Sequence, residues 1–263
     1  MIKSNSVKAL LKADKPAFGT WITLCPHPRV VKIFAACGFD FVIVEMEHTD
    51  FNMETVGGLV MLAREAGIVP FVRPTGTIKP HDMTRPLDAG AQGLLLPSID
   101  TAEQMAAIVK ATKYYPMGNR PMNLRGPHTD YSAGDAAEIT WHINEETMLV
   151  AMIESQVGID NLDAICKVPG VDAIFIGPDD LSQDLGIPGQ LNHPKMIEAT
   201  EKIFAICKAN GVAYGTSCQN PEMAEKRVAQ GARWLPYQND AAMVFNTAKA
   251  AVPKLMEIGG RGR

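Results

Sequence analysis

Eight short runs of consecutive apolar residues punctuate the chain, and between most of them the apolar positions fall three and four apart. The runs are AFGTWI (17–22), DFVIVEM (40–46), VPFVR (69–73), GLLLP (93–97), MLVAMIE (148–154), DAIFIG (172–177), VAYGT (212–216) and RWLPY (233–237). They are short and aliphatic, with almost no polar alternation, which predicts strands buried on both faces, as in parallel sheets. Helical spacing marks PRVVKIFAACG (28–38), METVGGLVMLAREAG (53–67), TAEQMAAIVKATKY (101–114), PKMIEATEKIFAICKANG (194–211) and PEMAEKRVAQG (221–231). Gly38, Gly67, Gly90, Gly211 and Gly231 each precede the next strand by a few residues, where helices commonly end. Asp100 and Asn220 stand where N-caps belong.

Strand–helix alternation repeated eight times predicts an α/β fold, a parallel TIM-type (β/α)8 barrel forming one domain over residues 1–263. The alternative, a doubly wound open sheet of the dinucleotide-binding kind, calls for a glycine-rich turn after the first strand, and none is present. One segment breaks the pattern. Residues 115–147, YPMGNRPMNLRGPHTDYSAGDAAEITWHINEET, are too long and too rich in Pro, Gly and Asn for an ordinary connection. Following the fourth strand, they are expected on the catalytic rim, as a lid or a subunit contact.

Composition narrows the function classes. The chain has 263 residues, 46% of them hydrophobic, enough for a barrel of roughly 250 residues. A net charge of −4 with scattered signs argues against a nucleic-acid surface, which would be basic and clustered. No apolar run approaches the roughly 20 residues that span a bilayer. The N-terminal MIKSNSVKALLKADKPAFG lacks the apolar core and cleavage site of a secretory signal. Five cysteines (Cys25, Cys37, Cys166, Cys207, Cys218) form no CxxC pair, and their odd count reads as reduced thiols in a cytoplasmic protein.

In such a barrel, chemistry collects where strands end. Those ends carry Glu45, Glu47 and His48, then Arg73, Glu154, Asp179 and Asp180, and Thr216 and Ser217. Glu154 and Asp180 close two buried runs 26 residues apart, as expected of adjacent strands separated by one helix. A carboxylate there is out of place as packing and well placed as a ligand. Two of them with no His or Cys partner suit Mg²⁺ or Mn²⁺ over Zn²⁺. The competing reading is that each caps the following helix. Arg73 offers a fixed positive fork for an enolate or carboxylate, or an ion pair with a neighbouring acid. His48 suits a general base, or is a hydrogen-bonded loop residue. Glu45 and Glu47 alternate, so they point the same way, both into the barrel mouth or both outward. Gly177 admits close approach of a substrate to the backbone. His27, His81, His128, His142 and His193 show no metal spacing. None of the eight strand segments contains a lysine, which argues against a Schiff-base route.

The stretches FGTWI, VIVEMEH, VRP, LDAGAQGLLLP, DTAEQ, YYPMGNR, IESQVGIDNLDAI, GVDAIFIGPDDLSQDLG and QGARWLPY together resemble the HpcH/HpaI aldolase family, the metal-dependent class II pyruvate aldolases. The likeness covers nearly the whole chain. It implies a modified TIM barrel, often with helix exchange between subunits, assembled as a homohexamer. It also implies Glu154 and Asp180 as metal ligands and His48 as the proton acceptor. Arg73 becomes the transition-state stabiliser and a substrate contact, Asp88 the carboxylate that raises the basicity of the histidine, and Asp179 a backbone contact to substrate. Three positions depart from the family pattern. Glu45 replaces a usual Asp, Met152 occupies the place of a substrate-contacting Gln, and GNRP stands for GxRG. Asp88 lies near a helix end toward the opposite barrel face, so it reaches His48 only by different packing or from a neighbouring subunit.

The implied reaction is reversible aldol cleavage of a 4-hydroxy-2-oxo acid to pyruvate (or hydroxypyruvate) and an aldehyde, with Mg²⁺, Mn²⁺ or Co²⁺ as cofactor. Two alternatives remain. A citramalyl- or malyl-CoA lyase-like enzyme needs a basic CoA surface, for which 115–147 supplies Arg120 and Arg125. A non-catalytic barrel subunit is opposed by the complete set His48, Arg73, Glu154 and Asp180.

Overall fold

The computed structural model describes residues 3–261. Met1 and Ile2 of the N-terminal stretch lie outside the described residues. The elements run α1 (Ser6–Lys12), β1 (Ala17–Ile22), α2 (Arg29–Ala36), β2 (Phe41–Glu45), α3 (Met53–Ala66), β3 (Val69–Arg73) and α4 (Pro80–Asp88). They continue β4 (Gly93–Leu96), α5 (Ala102–Thr112), α6 (Ala136–Glu146), β5 (Met148–Ile153), α7 (Gln156–Asp160), α8 (Leu162–Cys166) and β6 (Ala173–Ile176). The chain ends with α9 (Pro178–Asp184), α10 (Pro194–Ala209), β7 (Ala213–Thr216), α11 (Pro221–Ala229), β8 (Trp234–Asn239) and α12 (Asp240–Ile258). All eight apolar runs are strands.

The strands are parallel and ordered β7-β6-β5-β4-β3-β2-β1-β8. The circle closes where Arg233 N donates to Tyr214 O at 2.7 Å and Cys218 N to Pro236 O at 2.8 Å. Gly215 makes this contact possible, because any Cβ there would collide with the Trp234 carbonyl. The fold is therefore a modified (β/α)8 barrel. Its interior is aromatic: Trp234 stacks on Phe41 with centroids 4.7 Å apart, and Phe71 and Phe175 meet it edge-on. An outer apolar layer forms between the strands and the helices.

Two features differ from the sequence expectation, and two more were not foreseen by it. The cap of α5 is Thr101, whose side chain accepts from Gln104 N, while Asp100 accepts instead from Ser155 Oγ. Asn220 does cap α11, accepting from Met223 N at 2.8 Å. Second, 115–147 is not on the catalytic rim. Because α5 intervenes after β4, the segment runs from α5 to β5 and lies at the N-terminal ends of the strands, with Pro127–Thr129 as a 3₁₀ turn and α6 as a full helix. Its Asn144 and Thr147 carbonyls accept from the buried Lys113 Nζ, both at 2.6 Å. Third, α1 places Val7, Leu10 and Leu11 in the same apolar cluster as Phe41, Phe71 and Trp234. Fourth, α12 buries only Asp240, at its start, and leaves Val244, Phe245, Val252, Leu255 and Ile258 exposed.

Candidate active site

Arg73 ends β3 directly beside Glu45, its register partner at the end of β2. Its Nε is 2.5 Å from Glu45 Oε2 and one terminal nitrogen is 3.2 Å from Glu47 Oε2. Its guanidinium lies 5.0 Å above the Trp21 ring and reaches toward Met152 Sδ at 4.0 Å. Two carboxylates, an aromatic face and a thioether thus hold one cation in a single orientation. Both glutamates point into the barrel mouth. Glu45 is 2% exposed, and its other oxygen accepts the N–H groups of Glu47 at 2.6 Å and His48 at 3.2 Å. It therefore also shapes the turn that carries His48. The imidazole Nε2 is 3.7 Å from Glu47 Oε2, and its side chain is 63% exposed.

Glu154 and Asp180 follow β5 and β6, which pair in register up to Ile153 and Ile176. Neither carboxylate caps a helix. Ser155 caps α7, and α9 begins after Gly177 with no side-chain cap. Glu154 Oε1 accepts from Ser98 N at 2.7 Å and Ser98 Oγ at 3.1 Å. Ser98 has φ 54°, the left-handed region that costs a non-glycine residue energy. Gln104 Nε2 holds its carbonyl at 2.8 Å. The other oxygen, Oε2, stays open toward Gly177, where any Cβ would lie 2.5 Å from it. Burial pushes the Glu154 carboxyl up, against the two Ser98 hydrogen bonds, and the charges of Asp180 and Glu47 add to the rise. Burial also raises Glu47, against the pull of Arg73 and His48.

This is a donor set with more negative charge than its one nearby arginine balances. Among the described residues no group of three or more His, Cys, Asp or Glu side chains forms a metal cage. Two carboxylates with an open side suit a hard divalent cation that retains waters and oxygen ligands from substrate. The residues present fit such an ion.

A cavity of about 330 Å³ joins these groups. It brings together His48, Arg73, Met152, Glu154, Asp179 and Asp180. Asp88 is not among them. As the last residue of α4 it sits at the N-terminal ends of the strands, paired with Arg120 Nη2 at 2.5 Å. A helix that follows a strand carries the chain back to the far end, so Asp88 does not reach His48 within one chain. Arg120 is buried in that same pair, which removes it from any CoA-binding surface at the mouth.

A model of the HpcH/HpaI aldolase/citrate lyase family matches residues 18–246. The chain belongs to this family. It is 33% identical over 243 residues to a 5-keto-4-deoxy-D-glucarate aldolase of Escherichia fergusonii, across 92% of this chain and 93% of that protein. Among solved structures it is similar to an HpcH/HpaI aldolase from Desulfitobacterium hafniense, with TM-score 0.91, 33% identity and coverage of 95% and 96%. It is also similar to the citrate synthase SbnG, with TM-score 0.87, 30% identity and coverage of 97% and 98%.

Within this HpcH/HpaI chain, sequence reasoning missed three supporting residues. Ser98 and Gln104 fix Glu154; a polar residue directly after GLLLP was the available signal for the first. Asp240 anchors the β1–α2 loop, accepting from the N–H groups of Thr23 at 2.9 Å and Cys25 at 2.8 Å, and from Thr23 Oγ1 at 2.9 Å. Nothing in the local sequence marked it.

Proposed function

We propose that this carbon–carbon lyase reversibly cleaves 4-hydroxy-2-oxo acids to pyruvate or hydroxypyruvate and an aldehyde. One observation carries the reading. Glu154 directly follows β5, Asp180 stands in the first turn of α9 after the adjacent β6, and both open onto the same cavity as Arg73 and His48. Glu154 and Asp180 would hold a divalent cation, Mg²⁺, Mn²⁺ or Co²⁺. When bound, that ion supplies Lewis-acid polarisation of a 2-oxo acid.

The chain's own residues do the rest. Arg73, immobilised by Glu45, Glu47 and Trp21, presents a fixed positive charge to the oxygen on which enolate charge develops. Such a group needs no reorganisation during the reaction. His48 takes the proton of the 4-hydroxyl as the C3–C4 bond breaks, with Glu47 Oε2 3.7 Å from its Nε2. Met152 and Phe175 give the cavity an apolar portion, and the presence of Asp179 in its lining supports a backbone contact from that residue to substrate.

We further propose a cytoplasmic homo-oligomer, a hexamer by family likeness, in which α12 packs against a neighbouring subunit. The exposed apolar side chains of α12 support this. In such an assembly Asp88 has a route to another subunit's histidine.

The test is exhaustive chelation followed by Mn²⁺, Mg²⁺ or Co²⁺, with pyruvate and hydroxypyruvate offered against a panel of aldehydes. New carbon–carbon bonds, read by mass spectrometry, should vanish with chelator and return with metal. Activity that survives chelation would remove the metal from the reading.

A further inference from the structure

The last strand carries one residue more than its neighbour matches. From Gly19 to Trp21, β1 advances two positions, while β8 advances three, from Pro236 to Asn239. This is a β-bulge, which re-aims the side chains beyond it. Gln238 absorbs the extra length at φ 45°, a left-handed backbone that is costly for a residue with a Cβ. Its side-chain amide donates to Gln219 O at 2.7 Å and its N–H to Cys218 O at 3.0 Å, and these hold it there. Two residues later stands Asp240, which is buried.

Asp240 opens α12, but Asn239 is the residue that caps it, accepting from Ala242 N at 2.7 Å. No ion pair among the described residues includes Asp240. One of its oxygens accepts from Ala241 N at 3.0 Å. Its remaining donors all come from the loop after β1. They are Thr23 N and Thr23 Oγ1, both at 2.9 Å, Leu24 N at 3.1 Å and Cys25 N at 2.8 Å. Three successive N–H groups and a hydroxyl thus close on one carboxylate, as a backbone nest closes on an anion. The loop held in this way begins two residues after Trp21. The Trp21 ring lines the active-site cavity, meets Phe175 edge-on at 6.1 Å and lies 5.0 Å from the Arg73 guanidinium. Asp240 itself is not part of the cavity lining, so any effect it has on the chemistry passes through the loop.

We propose that Asp240 is a positioning residue for the reaction: by pinning the β1–α2 loop it keeps Trp21 against Arg73, and so fixes the charge that meets the enolate. The inference rests on the aldolase reading above and adds a link to it. Glu45 and Glu47 hold Arg73 by charge, and Trp21 supports its face. A fixed cation serves a developing negative charge better than one that must reorganise. Losing the loop anchor frees the ring, and the ring's release loosens the cation.

The experiment is a double-mutant cycle on the condensation of pyruvate, with Mn²⁺ and the fastest-converted aldehyde of the panel above. Trp21→Leu should lower kcat roughly tenfold, the scale of a desolvated cation–π contact. Asp240→Asn keeps the shape and one acceptor oxygen. It should lower kcat by a similar factor, with kcat/KM falling in parallel, as when an interaction made in the transition state is lost. In the Trp21→Leu background, Asp240→Asn should cost less than about twofold more, because both changes release the same cation. Losses that multiply to about a hundredfold in the double variant overturn the inference, since they mark independent sites. So does an unchanged kcat in either single variant, or a rise in KM alone in Asp240→Asn; each of these leaves the aldolase standing. Should Asp240→Asn fail to fold, Thr23→Val removes one loop donor and reads the same link. It should lower kcat in wild type and not in Trp21→Leu, and equal effects in both overturn the inference. No product from any aldehyde in wild type overturns the aldolase reading itself.

Discussion

At the scale of single residues, the site depends on small groups that keep larger ones in place. Gly177 is the sharpest case. A methyl group there meets Glu154 Oε2 at 2.5 Å and Met152 Sδ at 3.1 Å, both ends of movable side chains, and Glu154 Cβ at 3.0 Å, which is fixed to the backbone. Gly177→Ala should therefore fold with a modestly lowered melting temperature while displacing the open oxygen of Glu154. Metal affinity, measured by calorimetry with Mn²⁺, should fall by about 10–100-fold, the range seen when the orientation of a ligand is disturbed. Unchanged affinity would mean that Glu154 is not a ligand. Ser98 works in the opposite sense. It accepts a strained φ of 54° so that its N–H and hydroxyl converge on the second oxygen.

At the scale of elements, the connection from α5 to β5 is held by a buried cation. Lys113 follows α5 directly, and its ammonium is enclosed by two carbonyls of the next segment. Burial pulls its pKa down to about 8 from 10.5. The native protein then releases this proton near pH 8, while the unfolded chain holds it to about 10.5. Between those values the unfolded state binds more protons, so this group's contribution to stability rises with pH. Over the full window the gain is about 3 kcal/mol, at 1.36 kcal/mol per unit. The expected result is a gap between wild type and Lys113→Met that widens from pH 8 to 10 in urea unfolding. A constant gap would show that the lysine keeps an ordinary proton affinity. Where α5 ends also explains the misplacement of 115–147. Its composition marked it as irregular, but the face it occupies follows from its place after a helix, α5, and not directly after a strand.

At the scale of the whole molecule, the last helix is the feature that the single chain leaves unresolved energetically. Phe245 is 62% exposed and Leu255 61%, on a helix whose only buried residue is Asp240. Apolar side chains in this number and on one element mark an interface. Phe245→Glu should shift the protein to smaller species in size-exclusion chromatography with light scattering. A wild type that is monomeric at micromolar concentration would refute the exchange of α12. The barrel itself should survive the change, because Phe245 belongs to neither the aromatic interior nor the outer apolar layer, against which α12 sets only Met243.

The eight strands were legible in the chain because a strand buried on both faces must be a short unbroken apolar run, and AFGTWI or MLVAMIE has no other stable home in water. Their polar terminators, His48, Arg73, Glu154 and Asp180, were legible for the same reason: a charge at the end of such a run is conspicuous. What the sequence left open was decided by contacts between distant segments. The direction of Glu45 and Glu47 followed from a register with Arg73, the support of Glu154 from Ser98 56 positions earlier, and the loop anchor Asp240 from a return across the barrel. Asp88 lost its expected neighbour because chain direction placed it at the opposite rim, beside Arg120. Periodicity reports which residues a chain must bury; only closure of the barrel determines which of the remainder face one another.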